Sequence, residues 1–180
     1  ETFDLACAGL DGAESLANSA GMLAYPEARR DWGRAGLALY GIDPFGGLAG
    51  SLKPVMRLKS AVFAERVLQP HEPIGYGASF YTKRSTRVGV VACGYADGYP
   101  RRAGSDTPVA IDGVRSRLIG RVSMDMLTVD LQHADSGVGS EVELFGDIIS
   151  VNEVAAAAGT IAYEILCNVK RAKRVYLGAA

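Results

Sequence analysis

The 180-residue sequence has little of what binds metals: two histidines, His71 and His133, and three cysteines, Cys7, Cys93 and Cys167. The cysteines are far apart, odd in number and form no CxxC pair, so no metal-ligand spacing exists. Their number and spacing are most simply read as belonging to a reducing, cytoplasmic compartment. Cys93 and Cys167 sit in apolar runs, as buried free thiols do. Neither sign of charge is in excess. Lys and Arg number 19 against 20 Asp and Glu, a net charge of −1. Such a balance gives no electrostatic case for nucleic acid or an anionic membrane as partner. The one basic cluster, Lys170-Arg171 with Lys173-Arg174, is short and reads as a solvated strand end. No apolar run approaches the ~18 residues of a membrane span. Glu1-Thr2-Phe3-Asp4 reads as the middle of a helix and not as a signal peptide.

What is present is an ordinary globular balance, 48% apolar and 22% charged, sufficient for one domain or two small ones. Phe3, Leu5, Ala6, Ala8 and Leu10 fit the end of an amphipathic helix stopped by glycine. Leu16-Ala17 is a very short apolar segment followed by Asn18-Ser19 and small residues. A second unit, Asp31 to Gly41, repeats the arrangement. Two βα-type units fit the tail of a parallel α/β structure. A parallel barrel needs about 250 residues, so polypeptide upstream is expected to be missing. Ile42 to Lys53, with Asp43-Pro44, Gly46-Gly47 and Gly50-Ser51, reads as a linker.

Beyond it the pattern changes to period two. Leu58 and Val62 alternate with charged neighbours, and Val88 to Cys93 is a continuous run of the buried-strand kind. Asp112-Gly113 between Ile111 and Val114 predicts a hairpin. Leu127, Val129 and Leu131, then Val142 and Leu144, alternate again. Many short strands predict an antiparallel barrel or sandwich. Ser150 and Glu153 form a capping box for a helix that Gly159 stops. A second short helix near Thr160 carries Tyr163. The fold expected is therefore an α/β barrel tail over residues 1–50, the parallel βα units of an incomplete TIM-type barrel. A mostly antiparallel β-domain with one or two short helices follows over residues 51–180.

Three glycine-bounded turns stand out: Gly75-Tyr76-Gly77-Ala78, Gly94-Tyr95-Ala96-Asp97-Gly98 and Gly120-Arg121-Val122-Ser123-Met124-Asp125. Glycine allows sharp bends and close approach of another surface. The three turns read as one face of an active site. Singly, each residue also has a plainer reading. Asn18-Ser19 is either a helix N-cap, which the residues alone favour, or a phosphate-binding turn. Arg34, inside an otherwise apolar run, reads as a buried arginine, which needs a structural carboxylate or a ligand as partner. Tyr76, Tyr95 and Tyr163 fit interior aromatics with satisfied hydroxyls. Met124 fits a gap-filler.

Together these stretches, with Ala17-Asn18-Ser19-Ala20, Arg34 to Gly41 and Ile161-Ala162-Tyr163-Glu164, resemble the C-terminal part of the alanine racemase family. That family uses pyridoxal 5′-phosphate (PLP). The resemblance follows the family's order and spans nearly the whole chain; Gly-Tyr-Ala-Asp-Gly and Gly-Arg-Val-Ser-Met-Asp are highly specific. It implies interconversion of L- and D-alanine, for D-alanine supply or alanine catabolism. It implies that Tyr76 is the catalytic base on the L-alanine face. A backbone group at Met124 contacts the substrate carboxylate, and Tyr95, Arg101 and Arg121 line the pocket and its entrance. Arg34 meets the PLP ring nitrogen. Ser19, Tyr163 and the backbone at Gly36 and Leu37 form the phosphate cradle, with Asn18 beside it. Tyr76, Tyr95 and Met124 are lent to a neighbouring subunit, which implies a homodimer. The family's Schiff-base lysine lies in the N-terminal half and has no counterpart here, so the chain is expected to be inactive alone. Alternatives of the same or another class are a serine or broad-specificity racemase, and a non-catalytic dimerisation or binding β-domain. A free phenol ionises near pH ~10, so a tyrosine base requires positive charge nearby.

Overall fold

The structure, a computed structural model, describes residues 1–45, 52–131 and 135–178. Half of the glycine-rich linker stretch, residues 46–51, and His133 lie outside the described residues. The chain forms two compact units, Glu1–Val55 and Met56–Ala180.

The first unit opens with helix α1 (Thr2–Ala6), none of whose residues is buried. Strand β1 (Ser15–Asn18) pairs in parallel with β2 (Trp32–Arg34). Parallel strands need a crossover, and helix α2 (Ser19–Ala24) with a 3-10 turn at Pro26–Ala28 supplies it. A second 3-10 turn, Leu37–Tyr40, follows β2 and is stopped by Gly41 at φ +71°. The apolar look of Asp31 to Gly41 overstated its burial. Leu37 is buried, but Trp32 and Leu39 are exposed. Arg34 is exposed as well, which corrects its reading as a buried charge. β2 has β1 as its one strand partner among the described residues, and a two-stranded sheet covers few side chains.

The second unit is built on strands β3 (Leu58–Leu68), β4 (Pro73–Ile74), β5 (Phe80–Tyr81), β6 (Thr86–Val91), β7 (Pro108–Ile111), β8 (Val114–Arg117), β9 (Leu127–Asp130) and β10 (Glu141–Phe145). Six of them form one antiparallel sheet in the order β8-β7-β10-β3-β6-β9, with β4 and β5 paired separately. An antiparallel bridge between Leu118 and Val129 brings the two edges together, so the sheet curls on itself and leaves no long open edge. Its interior is filled by Val62, Val88, Val91, Ile111, Leu127, Val129 and Leu144, all buried. Each such side chain stabilises the fold by about 1.5–3 kcal/mol. The hairpin at Asp112-Gly113 has positive φ at both residues, +46° and +84°, the geometry that suits strand twist. Glu143 departs from alternation: it is buried, and its carboxylate accepts the N–H groups of Ile148 (2.7 Å) and Ile149 (3.0 Å).

Helices α3 (Val151–Ala158) and α4 (Ala162–Asn168) complete the unit. Ser150 and Glu153 form both halves of the expected capping box, and Gly159 ends α3 in the left-handed region. On α4 the buried residues are Ala162 and Ile165. Cys167 lies off that face and is exposed, so its reading as a buried thiol is corrected. No strand is assigned around Lys170 to Arg174, which also corrects the reading of that cluster as a strand end. Among the described residues no helix is long and apolar enough to cross a membrane.

Candidate active site

In the first unit, β1 delivers Asn18 and Ser19 to the start of α2. Asn18 is the cap: its side-chain oxygen accepts the Gly21 N–H at 3.0 Å. Ser19 does something else. It is buried, and its Oγ accepts the N–H groups of Gly36 (3.0 Å) and Ala38 (3.1 Å). Two backbone donors thus converge on one oxygen, with buried Leu37 between them. A Cβ at Gly36 would meet nothing within 4 Å. Those two N–H groups are taken by Ser19, but the Leu37 N–H between them has no acceptor among the described residues, and it and the Ser19 hydroxyl hydrogen are the donors an incoming anion oxygen would meet. These residues therefore fit a phosphate group.

Arg34 ends β2. Its NH1 donates to the Ser15 carbonyl and Oγ, both at 2.9 Å, and its NH2 to the Leu16 carbonyl at 3.2 Å. Among the described residues no carboxylate pairs with it and its Nε–H has no acceptor. Ser15 and Leu16 oxygens hold three of the five guanidinium N–H donors, and the Nε–H is one of the two left available. Since arginine donates and never accepts, the arrangement fits a ring nitrogen with a free lone pair.

The second unit brings the three glycine turns together. Gly75 and Gly77 have φ of +74° and +70°, so the chain bends tightly around Tyr76. A Cβ on Gly75 would lie 3.2 Å from the Arg121 nitrogen of the third turn, and one on Gly77 3.6 Å from the Arg121 guanidinium. Positive charge therefore sits beside the Tyr76 turn. Gly94 approaches the same third turn from another direction. A Cβ there would lie 2.2 Å from the Met124 carbonyl oxygen. Backbone bonds lock the two turns: Tyr95 N–H to Ser123 carbonyl at 3.0 Å and Ala96 N–H to Met124 carbonyl at 2.9 Å. The Met124 carbonyl is thus occupied, while its N–H has no acceptor among the described residues. That leaves an open donor in a turn fixed beside Tyr95.

The aromatic and sulfur side chains here are not interior. Tyr76 is 72% exposed, Met124 54%, Tyr163 42% and Tyr95 37%, so their readings as core aromatics and gap-filler are corrected. The turns that carry Tyr76, Tyr95 and Met124 point them outward. Arg101 lies over the Tyr95 ring, 6.0 Å from its centroid, and both line an open cleft of about 560 Å³ with Gly98 and Glu164. Two groups flanking the Gly94–Gly98 motif are unsuited to proton transfer. Burial, with the Asp97 carboxylate nearby, pushes the Cys93 thiol up to about 12. Burial also raises the Tyr99 phenol, with Cys93 as the lesser cause.

Reading the sequence missed Asp97, although the signal was there. Its Oδ2 accepts the Gly94 N–H at 3.0 Å and closes the Tyr95 turn as a capping box does.

Residues 55–176 match the family model described as alanine racemase, C-terminal domain, and residues 1–44 match alanine racemase, N-terminal domain. This chain belongs to the alanine racemase family. An alanine racemase of Neisseria meningitidis serogroup C is 67% identical over 177 residues, 98% of this chain and 50% of that protein. The crystal structure of the biosynthetic alanine racemase from Pseudomonas aeruginosa superposes with a TM-score of 0.90 at 47% identity, over 96% of this chain and 50% of that one. The alanine racemase of Bartonella henselae, solved with covalently bound pyridoxal phosphate, gives a TM-score of 0.88 at 35% identity, over 97% of this chain and 50% of that one. The chain spans about half the length of the curated relatives it matches. Within the family's architecture, the first unit is a partial barrel and the second the antiparallel β-domain.

Proposed function

We propose that this chain supplies the C-terminal half of a PLP-dependent alanine racemase that interconverts L- and D-alanine as a homodimer. The family's N-terminal half is the other polypeptide the site requires. The observation that carries the reading is the Met124 N–H, left without an acceptor among the described residues while two backbone bonds fix its turn beside Tyr95. A donor held in that way suits an amino-acid carboxylate. Three unpaired cysteines suit a reducing cytoplasm.

Bound PLP supplies an electron sink that weakens the Cα–H bond of the amino acid. In the first unit, Ser19 and the Gly36 and Leu37 backbone would hold its phosphate, with Asn18 fixing the start of α2. Tyr163 stands exposed on α4 of the second unit. Arg34 would hold the ring nitrogen unprotonated, because it does not surrender its own proton. Tyr76 moves the α-proton on the L-alanine face, with Arg121 beside its turn. Met124 holds the carboxylate, and Tyr95, Arg101 and Arg121 border the approach. The exposure of Tyr76, Tyr95 and Met124 supports lending them to a neighbouring subunit.

The test uses the complete enzyme in D₂O, with NMR following the α-proton of each enantiomer. Tyr76→Phe keeps the ring and removes the hydroxyl. Racemisation in both directions should fall ~10²–10⁴-fold, the usual worth of a positioned acid/base group. D-alanine should keep exchanging its α-proton and L-alanine should nearly stop. Equal loss for both enantiomers would refute the one-face role, and undiminished racemisation would move the base to another residue.

A further inference from the structure

The segment after α4 runs against the Tyr95 turn. A Cβ on Gly98 would lie 2.2 Å from the Asn168 carbonyl oxygen and 2.7 Å from the Val169 Cα. Three residues past the end of α4, Arg171 reaches both site turns at once. Its Nε is 3.9 Å from Asp97 Oδ1 and its NH1 is 4.0 Å from Asp125 Oδ1. Asp97 belongs to the turn that carries Tyr95, and Asp125 directly follows Met124. The other oxygen of Asp97 already closes its own turn through the Gly94 N–H. Asp125 has no second charged partner among the described residues.

We propose that Arg171 is a positioning residue: it bridges Asp97 and Asp125 and so holds the Tyr95 and Met124 turns in register. The inference rests on reading those turns as the substrate site. Two carboxylates on adjoining turns repel each other, and both repel a substrate carboxylate arriving at the Met124 N–H. A guanidinium offers separate N–H groups to each of them, which a single ammonium cannot do from one position. The bridge stands in solvent, so each arm contributes modestly. Its effect is to fix the spacing of the turns and to cancel charge at the mouth of the site.

The test compares Arg171→Gln and Arg171→Lys with the parent in the complete enzyme. Arg171→Gln should raise KM for alanine about two- to fivefold, the scale of an exposed ion pair, with kcat changed less. Amide exchange at Tyr95 and Ala96, whose N–H groups bind the third turn, should accelerate by a similar factor. Arg171→Lys should recover part of both effects. A purely structural role would instead lower the melting temperature and depress kcat and KM performance together, without recovery by lysine; that result, or unchanged exchange at Tyr95 and Ala96, overturns the proposal. A parent enzyme without alanine turnover would refute the proposed function, while the exchange rates would still decide the role of Arg171.

Discussion

Gly94→Ala isolates close approach from backbone conformation. Gly94 has φ −147°, an extended value open to any residue. Alanine there carries no dihedral penalty, so any effect comes from the added methyl. That methyl would lie 2.2 Å from the Met124 carbonyl oxygen, 2.4 Å from its carbon and 2.5 Å from the Ser123 carbonyl oxygen. All three are backbone atoms, so no side chain can swing aside. Ordinary packing requires about 3.0 Å or more, so the turns must part by roughly 1 Å. Parting them stretches the Tyr95 N–H to Ser123 and Ala96 N–H to Met124 bonds, now 3.0 and 2.9 Å.

A 1 Å displacement of a substrate-holding group costs about 10²-fold in rate, and overpacking costs about 1–3 kcal/mol of stability. The control is Gly104→Ala, where the nearest atom to a new Cβ is the Arg102 carbonyl oxygen at 4.0 Å. Both variants of the complete enzyme are assayed for conversion of L- to D-alanine and for thermal unfolding. Gly94→Ala should lose about two orders of magnitude in kcat/KM, and Gly104→Ala should match the parent. If the two variants behave alike, the contact between the Tyr95 and Met124 turns does not position the site.

Arg34→Glu should let the ring nitrogen take a proton, so racemisation slows and the pyridoxamine product of transamination appears; a variant with unchanged rate and no such product would remove Arg34 from that role. Glu153 bears on stability against pH. Its carboxyl is held low, first by its hydrogen bond from Arg115 against the opposing effect of burial, with smaller lowering contributions from the Ser150 N–H and the Arg115 charge. A depressed carboxylate stabilises the fold above its unfolded pKa, near ~4.3, and that contribution disappears as pH falls through the folded value. Because the pair is part-exposed, the gain is below about 1 kcal/mol. Glu153→Gln should melt slightly lower than the parent at pH 7, with the gap closing toward pH 3; a gap that widens on acidification would contradict the assignment.

Most of the β-domain was legible because its signals are local. The Asp112-Gly113 hairpin, the Ser150/Glu153 box and the Gly159 stop each follow from a few neighbouring residues. Burial was less legible. Arg34 sits in an apolar run yet is exposed, because burial depends on what covers β2 and not on its own neighbours in sequence. Cys167 was misread for a different reason: an apolar run on a helix has two faces, and Ile165 marks the buried one. Glu143 looked like the outward residue of an alternating strand, but the loop at Ile148-Ile149 folds back and needs an acceptor.

The site was legible through its glycines, and the geometry explains why. Gly94 cannot carry a methyl because the Met124 backbone occupies that space. Gly98 cannot for two reasons: its φ is +102°, and the Asn168 carbonyl lies against it. Asp97 between them ties the turn to its own first N–H. Each position in Gly-Tyr-Ala-Asp-Gly apart from Tyr95 and Ala96 is therefore fixed by backbone contacts, which fold the same way whichever side chain the turn presents. Tyr95 is free of that duty and can be selected for what it meets. The same division holds at Gly75-Tyr76-Gly77, where two left-handed glycines bend the chain and leave Tyr76 projecting. A short motif is specific when its small residues are dictated by the scaffold and its one large residue by the ligand. That condition also explains why Arg171 reads from sequence only as part of a solvated basic cluster: its partners Asp97 and Asp125 belong to two different turns, and no spacing in the sequence relates them to a residue beyond α4.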